Sequence, residues 1–219
     1  MDKIDSLQWS AWAPGISTKE QWQEWLADKR EFDLAQKPDV SFIKPMVRRR
    51  LSSLAKMVFA TAHQLLDDEQ SQMPLVFASR YGEMEKTVQL LTNLSNNEGL
   101  SPTSFGLSVH NSLVGMFGLI KQWTTSSTAI GAGDRSLASG YIEAFSQSKA
   151  KKQPVLMFYY DEPLPSVYQP FADSTAEPIC IGLIVDATNQ LNQIIFNELL
   201  TNQSITPLDF IKNLLSKNV

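Results

Sequence analysis

The sequence is poor in the residues that bind metals or form disulfides. Its 219 residues include one cysteine and two histidines. A single cysteine cannot form an internal disulfide, which is typical of a reducing compartment. One thiol and two separated imidazoles also supply no cluster of ligands, so we expect no metal site and no cofactor. No run approaches the roughly 18 apolar residues of a membrane span, and the first residues lack the apolar core of a signal peptide. These absences predict a cytoplasmic protein.

Positive charge is also scarce. Lysine and arginine number 19 against 23 acidic residues, so the net charge is −4 and a broad nucleic-acid-binding face is not expected. At 43% hydrophobic and 19% charged, the composition is typical of a folded globular protein. The length suits one large domain. We therefore predict that residues 1–219 form a single domain.

Apolar periodicity predicts strands that alternate with helices. Alternation of this kind indicates βαβ units, and the last two strands follow each other directly, which allows one antiparallel hairpin. We predict an α/β fold with a mainly parallel sheet of about five strands and helices on both faces. The expected strands cover residues 4–12, 75–78, 128–130, 155–160 and 179–185, and the clearest helices cover residues 47–66, 105–121, 138–144 and a segment that begins at residue 205.

A strand, a glycine-rich turn and a helix follow one another in residues 128–144. The turn, Gly131-Ala-Gly133, is too short for a dinucleotide fingerprint because the third glycine is missing. Asp134 comes next, at the start of the predicted helix. Its carboxylate can act as a general base, or it can cap the helix at the positive end of the helix dipole. We interpret Asp134 as a helix cap.

Two further residues are candidate nucleophiles. Gly106-Leu-Ser-Val-His110 resembles the hydrolase motif Gly-x-Ser-x-Gly, but it has histidine where glycine is required and does not follow a strand. A nucleophilic Ser108 is therefore a minor alternative. Cys180 lies in a continuous apolar run of strand length. Such a run is typical of a strand that is buried on both faces, so we interpret Cys180 as a core residue.

Residues 128–144 resemble the nucleophile turn of β-ketoacyl synthases. The upstream segment 101–115 is similar to the helix that precedes the cysteine strand in that family, including the proline-rich start and the spacing of Asn111 and Gly115. Residues 75–82 resemble the preceding strand and its glycine. The resemblance covers about residues 47–185. Within the thiolase superfamily, the chain most resembles the short chain-length-factor-like subunit encoded with aryl polyene pathways.

The resemblance implies a half-length thiolase fold without its catalytic groups. The family's cysteine falls at Asp134, or at Gly133 with a one-residue slip, and neither can be an acyl-accepting thiolate. His63 and His110 do not match the family's histidine motifs. The chain has room for the N-terminal half of the fold only. The resemblance therefore implies a pseudo-ketosynthase: a non-catalytic partner of a full-length ketosynthase, in a heterodimer or higher heteromer of polyketide or fatty-acid-type biosynthesis.

The resemblance also assigns residues to the partner interface. The predicted helix 105–121 is expected to lie there and to limit the depth of the acyl tunnel, although core packing is the alternative for the same side chains. The residues concerned are Phe105, Val109, Leu113, Met116 and Phe117.

Three consecutive arginines, Arg48, Arg49 and Arg50, are placed by the pattern in the first turn of the helix 47–66, where they oppose the helix dipole. They are candidates for contact with an acyl carrier protein, and a solvated helix face is the alternative.

Two other functions remain open. One is an acyl hydrolase or transferase that uses Ser108 or Asp134, and the other is a free-standing binder of acyl carrier protein.

Overall fold

Five strands form one sheet in a computed structural model that describes residues 6–67, 71–172 and 177–217. The strands are β1 (Gln8–Trp12), β2 (Leu75–Ala78), β3 (Ser127–Ile130), β4 (Val155–Asp161) and β5 (Ile179–Val185). Their order across the sheet is β1-β5-β4-β2-β3. The strand that the sequence predicted in residues 4–12 begins later, at Gln8, and residues 4 and 5 lie outside the described ranges.

The sheet is mixed. β2 pairs in parallel with β3 and β4, and β5 pairs antiparallel with β4 and β1. The α/β fold with five strands is confirmed, as is the terminal hairpin β4–β5. The expectation of a mainly parallel sheet is corrected, because half of these pairings are antiparallel. A parallel neighbour needs a crossover, usually helical, and the described part of the β4–β5 connection contains only a 3₁₀ segment, Ser166–Phe171.

Helices cover both faces of the sheet, as predicted. The helices are α1 (Lys19–Leu26), α2 (Pro45–Arg48), α3 (Ser53–Leu65), α4 (Met84–Ser95), α5 (Pro102–Gly106), α6 (Ser112–Lys121), α7 (Ser136–Lys151), α8 (Gln190–Thr201) and α9 (Pro207–Lys217). On one face of the sheet, α1, α7, α8 and α9 form a core that includes Trp22, Tyr141 and Phe210. On the other face, α3 and α6 form a second core that includes Phe59 and Phe117.

The predicted helix 47–66 is two helices, α2 and α3. The break lies at Ser52, which has an extended backbone and is the N-cap of α3. Its Oγ accepts a hydrogen bond from the backbone N–H of Ala55 at 3.1 Å. Arg48 is the last residue of α2, and Arg49 and Arg50 lie in the connecting turn. The placement of the three arginines in the first turn of α3 was therefore wrong.

The predicted helix 105–121 is also interrupted. Phe105 and Gly106 end α5, and α6 begins only at Ser112. In between, the hydroxyl of Ser108 donates to the carbonyl of Phe105 at 2.9 Å, and the hydroxyl of Ser112 donates to the carbonyl of Leu107 at 3.1 Å. Serine side chains that bond to nearby backbone groups compete with a helix in this way. Val109 therefore lies in a turn.

A glycine sets the distance between α7 and the sheet. A Cβ added at Gly140 would lie 2.6 Å from Cβ of Ala78 on β2 and 2.9 Å from Cε of Met157 on β4. Backbone and side chains are therefore already in contact at this point. By contrast, a Cβ at Gly115 of α6 would meet no atom within 4 Å.

We predict opposite effects from alanine at these two helical glycines. Gly115→Ala should raise the free energy of unfolding by about 0.5–1 kcal/mol, because alanine loses less backbone entropy in a helix. Gly140→Ala should lower it by about 1–3 kcal/mol, because the added methyl overpacks the core. Chemical denaturation of both variants measures the difference. Equal effects of the two substitutions would contradict the close packing of α7 on β2.

Candidate functional site

The carboxyl ends of β2, β3 and β4 meet at one edge of the sheet. The β2–β3 connection contains α6, which packs on one face, whereas the β3–β4 connection contains α7, which packs on the opposite face. The chain thus passes from β2 to β3 across one face of the sheet. It returns from β3 to β4, on the other side of β2, across the opposite face. In open α/β sheets a crevice forms at such a reversal, outside the carboxyl ends of the strands, and ligands bind there.

The segment after β3 has the strand–turn–helix geometry that the sequence predicted. Gly133 has a φ of 62° in the turn, and a 3₁₀ segment, Gly133–Arg135, leads into α7. The hydroxyl of Ser136 accepts a hydrogen bond from the backbone N–H of Ala132 at 2.9 Å and donates one to the carbonyl of Gly133 at 2.7 Å. These bonds hold the turn closed, and the glycine allows its left-handed backbone.

Asp134 is exposed at this turn and faces the crevice. Its Oδ2 accepts a hydrogen bond at 3.0 Å from the hydroxyl of Ser204, in the loop between α8 and α9. The residue at the N-cap of α7 is Arg135, and no side chain forms a capping bond there. The interpretation of Asp134 as a helix cap is therefore wrong, because its carboxylate is directed across the crevice.

Asp161, at the end of β4, joins β4 to the loop after β2. Its Oδ1 accepts a hydrogen bond from the hydroxyl of Ser79 at 2.8 Å, and its Oδ2 accepts one from the backbone N–H of Arg80 at 2.9 Å. Burial raises the pKa of this carboxyl above its ordinary value, and these donors oppose the rise. Sequence reasoning missed Asp161, although an acidic residue directly after an apolar strand was a usable signal.

A cavity of about 320 Å³ occupies the crevice. It lies between the ends of β2 and β4, the turn after β3 and the start of α9. Its wall combines aliphatic and aromatic side chains with several charged groups, and it includes Phe32, Tyr81, Asp134, Tyr159, Leu164 and Leu208.

Ser108 has no partner suited to nucleophilic catalysis. Its hydroxyl donates to the carbonyl of Phe105, and among the described residues no histidine or carboxylate is hydrogen-bonded to it. Nε2 of His110 instead lies 3.1 Å from the carbonyl oxygen of Ser79 at the end of β2. The imidazole therefore holds the loop before α6 against the sheet. A nucleophile activated by an adjacent base is not assembled at Ser108.

The single thiol lies inside the sheet. Cys180 is buried in β5, as the sequence predicted. Burial raises the pKa of its thiol to about 12, which the hydroxyl of Thr61 partly opposes. The thiol is therefore protonated at neutral pH and unsuited to acyl transfer.

His63, on α3, stacks on the ring of Phe42 with 3.9 Å between centroids.

The five residues assigned to the tunnel fall into two groups. Leu113 and Phe117 are buried, and the ring of Phe117 lies 5.3–5.7 Å from three neighbouring phenylalanine rings in the core. Phe105 is 61% exposed, Val109 is also exposed, and Met116 is half-buried. The structure therefore separates two core side chains from three that reach the surface.

The three arginines do not act as one group. Arg48 is half-buried, and its Nη1 lies 3.5 Å from the carbonyl oxygen of Ser41. Arg49 and Arg50 are exposed, and Met46 is 76% exposed on α2 beside them. A surface with two exposed cationic residues and an exposed apolar side chain therefore lies at the turn between α2 and α3.

The topology and the turn after β3 define a ketosynthase-like α/β protein of the thiolase type. The family model of the β-ketoacyl synthase N-terminal domain matches residues 22–212, so the chain belongs to this family.

Solved structures support this assignment. The chain is 28% identical to a chain in the structure of ketosynthase ApeO in complex with its chain length factor ApeC from Xenorhabdus doucetiae, with a TM-score of 0.71, covering 89% of this chain and 92% of that one. The ishigamide ketosynthase/chain length factor matches at 13% identity and a TM-score of 0.61, covering 83% of this chain and 61% of that one. A β-ketoacyl synthase from Burkholderia phymatum matches at 13% identity and a TM-score of 0.58, covering 82% of this chain and 58% of that one.

The last two likenesses concern the fold alone, and this chain spans about three fifths of those proteins. No curated protein matches the sequence significantly. Within the described ranges, no helix is long and apolar enough to cross a membrane, and no three histidine, cysteine or acidic side chains are grouped as metal ligands.

We predict that Asp161→Asn changes stability in a pH-dependent way. The amide directs N–H groups at existing donors, so the free energy of unfolding should fall by about 1–3 kcal/mol. Because the folded-state pKa of Asp161 is raised, the native protein binds a proton that the unfolded chain has already lost. The wild type should therefore lose stability as the pH rises from the ordinary aspartate pKa to the raised one.

The difference in free energy of unfolding between the wild type and Asp161→Asn should accordingly become smaller as the pH increases through this window. Denaturation at a series of pH values measures it, and Asp186→Asn, at the end of β5, controls for loss of an aspartate outside the crevice. A stability difference that becomes larger as the pH increases would contradict this, because it would show that the hydrogen bonds lower the pKa of Asp161 more than burial raises it.

Proposed function

We propose that this chain is a non-catalytic, chain-length-factor-like partner of a full-length ketosynthase, in cytoplasmic polyketide biosynthesis of the aryl polyene type. The observation that carries the proposal is the turn after β3. The turn has the strand–turn–helix form that the resemblance to ketosynthases predicts, and by that resemblance the nucleophile position falls at Asp134, or at Gly133 with a one-residue slip. Condensation needs a thiolate there. The only cysteine lies elsewhere, buried in β5.

The length relationship supports the same role. This chain and the chain matched in the ApeO–ApeC complex cover each other almost completely. The other ketosynthase-type neighbours are much longer, since only about three fifths of each is covered. The likeness is therefore to a short chain within a complex that holds a ketosynthase and its chain length factor.

An exposed apolar surface is available for the ketosynthase. We call the exposed apolar side chains of the β2–β3 connection the crossover surface: Leu91, Leu94, Leu100, Phe105, Val109 and Leu119. The helix α4 has no buried residue although its apolar residues recur at helical spacing, and Leu119 is 80% exposed. Among the strands that the structure describes, β3 lies at the edge of the sheet. Large exposed apolar patches mark association sites.

We expect the isolated chain to self-associate and to form a stable heteromer when co-expressed with its ketosynthase. Leu119→Asp should abolish co-purification, because a carboxylate at a desolvated interface is left unpaired. Leu34→Asp, at a side chain that is 66% exposed outside the crossover surface, is the matched control. Tagged pull-down followed by size exclusion measures assembly.

A chain that stays monomeric in the presence of the ketosynthase would contradict the proposal. It would favour a free-standing enzyme or a free-standing binder of acyl carrier protein. Equal loss of assembly in Leu119→Asp and Leu34→Asp would place the interface elsewhere.

We also propose that Met116, with Phe105 and Val109, limits the acyl tunnel at the interface. Leu113 and Phe117 support the helix from the core. Met116→Ala should lengthen the polyene product, because an apolar space left by truncation accepts more acyl chain. Mass spectrometry of the products measures the length.

The matched control is Phe117→Ala, which should lower the stability of the complex by about 3–5 kcal/mol through loss of core packing. Unchanged product lengths from Met116→Ala in an intact complex would remove Met116 from the tunnel. The gate would then have to be sought at Phe105 and Val109.

The turn between α2 and α3 suits a contact with the acyl carrier protein. Arg49 and Arg50 are exposed beside the exposed Met46, and cationic side chains around an apolar one complement an acidic amphipathic helix. One structural neighbour is a ketosynthase in complex with its type II polyketide synthase acyl carrier protein, at 12% identity, which supports the fold alone.

A further inference from the structure

The crevice at the lost nucleophile position is large enough for a small ligand. Its volume of about 320 Å³ lies at the lower end of the range for small-molecule sites, roughly 300–1,000 Å³. It is located where the strand connections reverse, the position at which open α/β sheets bind ligands. Space and location both point to a binding site that is separate from the crossover surface.

The charge of the wall selects against anions. Among the described lining residues, four are acidic and one, Arg80, is basic. The carboxylate of Asp161 is held by Ser79 and the backbone N–H of Arg80, and that of Glu162 by Ser53, so Asp134 and Glu177 are the acidic side chains that remain to act on a ligand. The Arg80 guanidinium carbon lies 4.9 Å from the centre of the Tyr81 ring, so the cation lies over that ring. Asp134 is exposed at the crevice, and its described hydrogen bond comes from Ser204. A ligand carboxylate would be repelled here, whereas an ammonium group would be attracted.

The rest of the wall is apolar. Phe32, Leu164, Ile205 and Leu208 contribute aliphatic and aromatic surface beside the carboxylates. Such a wall buries a hydrocarbon body, while the few polar groups orient the head of the ligand. The pattern therefore fits an amphiphile with one short apolar segment and one cationic group.

We propose that the crevice binds a small cationic amphiphile, with the ammonium group at Asp134 and the hydrocarbon against Leu164 and Leu208. The inference does not rest on the heteromer, because every residue of the crevice named here belongs to this chain.

The test uses three probes with the same hydrocarbon chain and different heads: octylammonium, octanol and octanoate. Isothermal titration of the full chain at pH 8 should show octylammonium binding at least tenfold more tightly than octanoate, with octanol between them. Asp134→Asn should weaken the binding of octylammonium about threefold to fivefold, the range for an exposed ion pair, and should leave the binding of octanol unchanged.

A steric pair of variants locates the site. Ser204→Trp places a large side chain at the mouth of the crevice and should weaken octylammonium at least tenfold. Gln203→Trp, at the neighbouring exposed position outside the wall, should leave binding unchanged. Octanoate binding as tight as octylammonium, full binding by Ser204→Trp, or absence of saturable binding would overturn the proposal. Assembly with the ketosynthase is measured separately, so either hypothesis can fail alone.

Discussion

Burial of the central strands on both faces is the constraint on which this structure depends. Every residue of β4 and β5 is buried, so alternate side chains enter two separate cores. Each core needs its own helices. The connection after β2 supplies α6 to one face, and the connection after β3 supplies α7 to the other. The strand order must therefore reverse at β2, and this reversal places the crevice at the ends of β2 and β4.

Hydrogen bonds from three parts of the chain fix the walls of the crevice. Ser136 closes the turn after β3, and Gly133 permits its left-handed backbone. The carboxylate of Asp134 receives a hydrogen bond from Ser204 in the loop before α9. The buried Asp161 joins the ends of two strands through Ser79 and Arg80. The crevice is therefore held by side chains that are far apart in the sequence.

The C-terminal helices explain how a half-length ketosynthase-like chain completes its own core. α8 packs on α7 through the stacked rings of Phe145 and Phe196, 4.1 Å apart, and through the hydrogen bond of 2.7 Å from the Tyr141 hydroxyl to Asn192. α9 adds Phe210 to the same core. Six of the fourteen large apolar side chains that are exposed among the described residues lie in the β2–β3 connection, and Ile194 and Leu200 on α8 are also exposed.

The sequence by itself determined the strands, the α/β class and the absence of a thiol at Asp134, because apolar periodicity and residue identity are local properties. It did not reveal the break at Ser52, since a capping hydroxyl and an exposed serine look alike until the backbone turns. Only tertiary structure decided the antiparallel pairing of β1 with β5 and the burial of Phe117 beside the exposed Phe105. The bond from Ser204 to Asp134 joins residues 70 positions apart, and such distant contacts depend on how the helices pack.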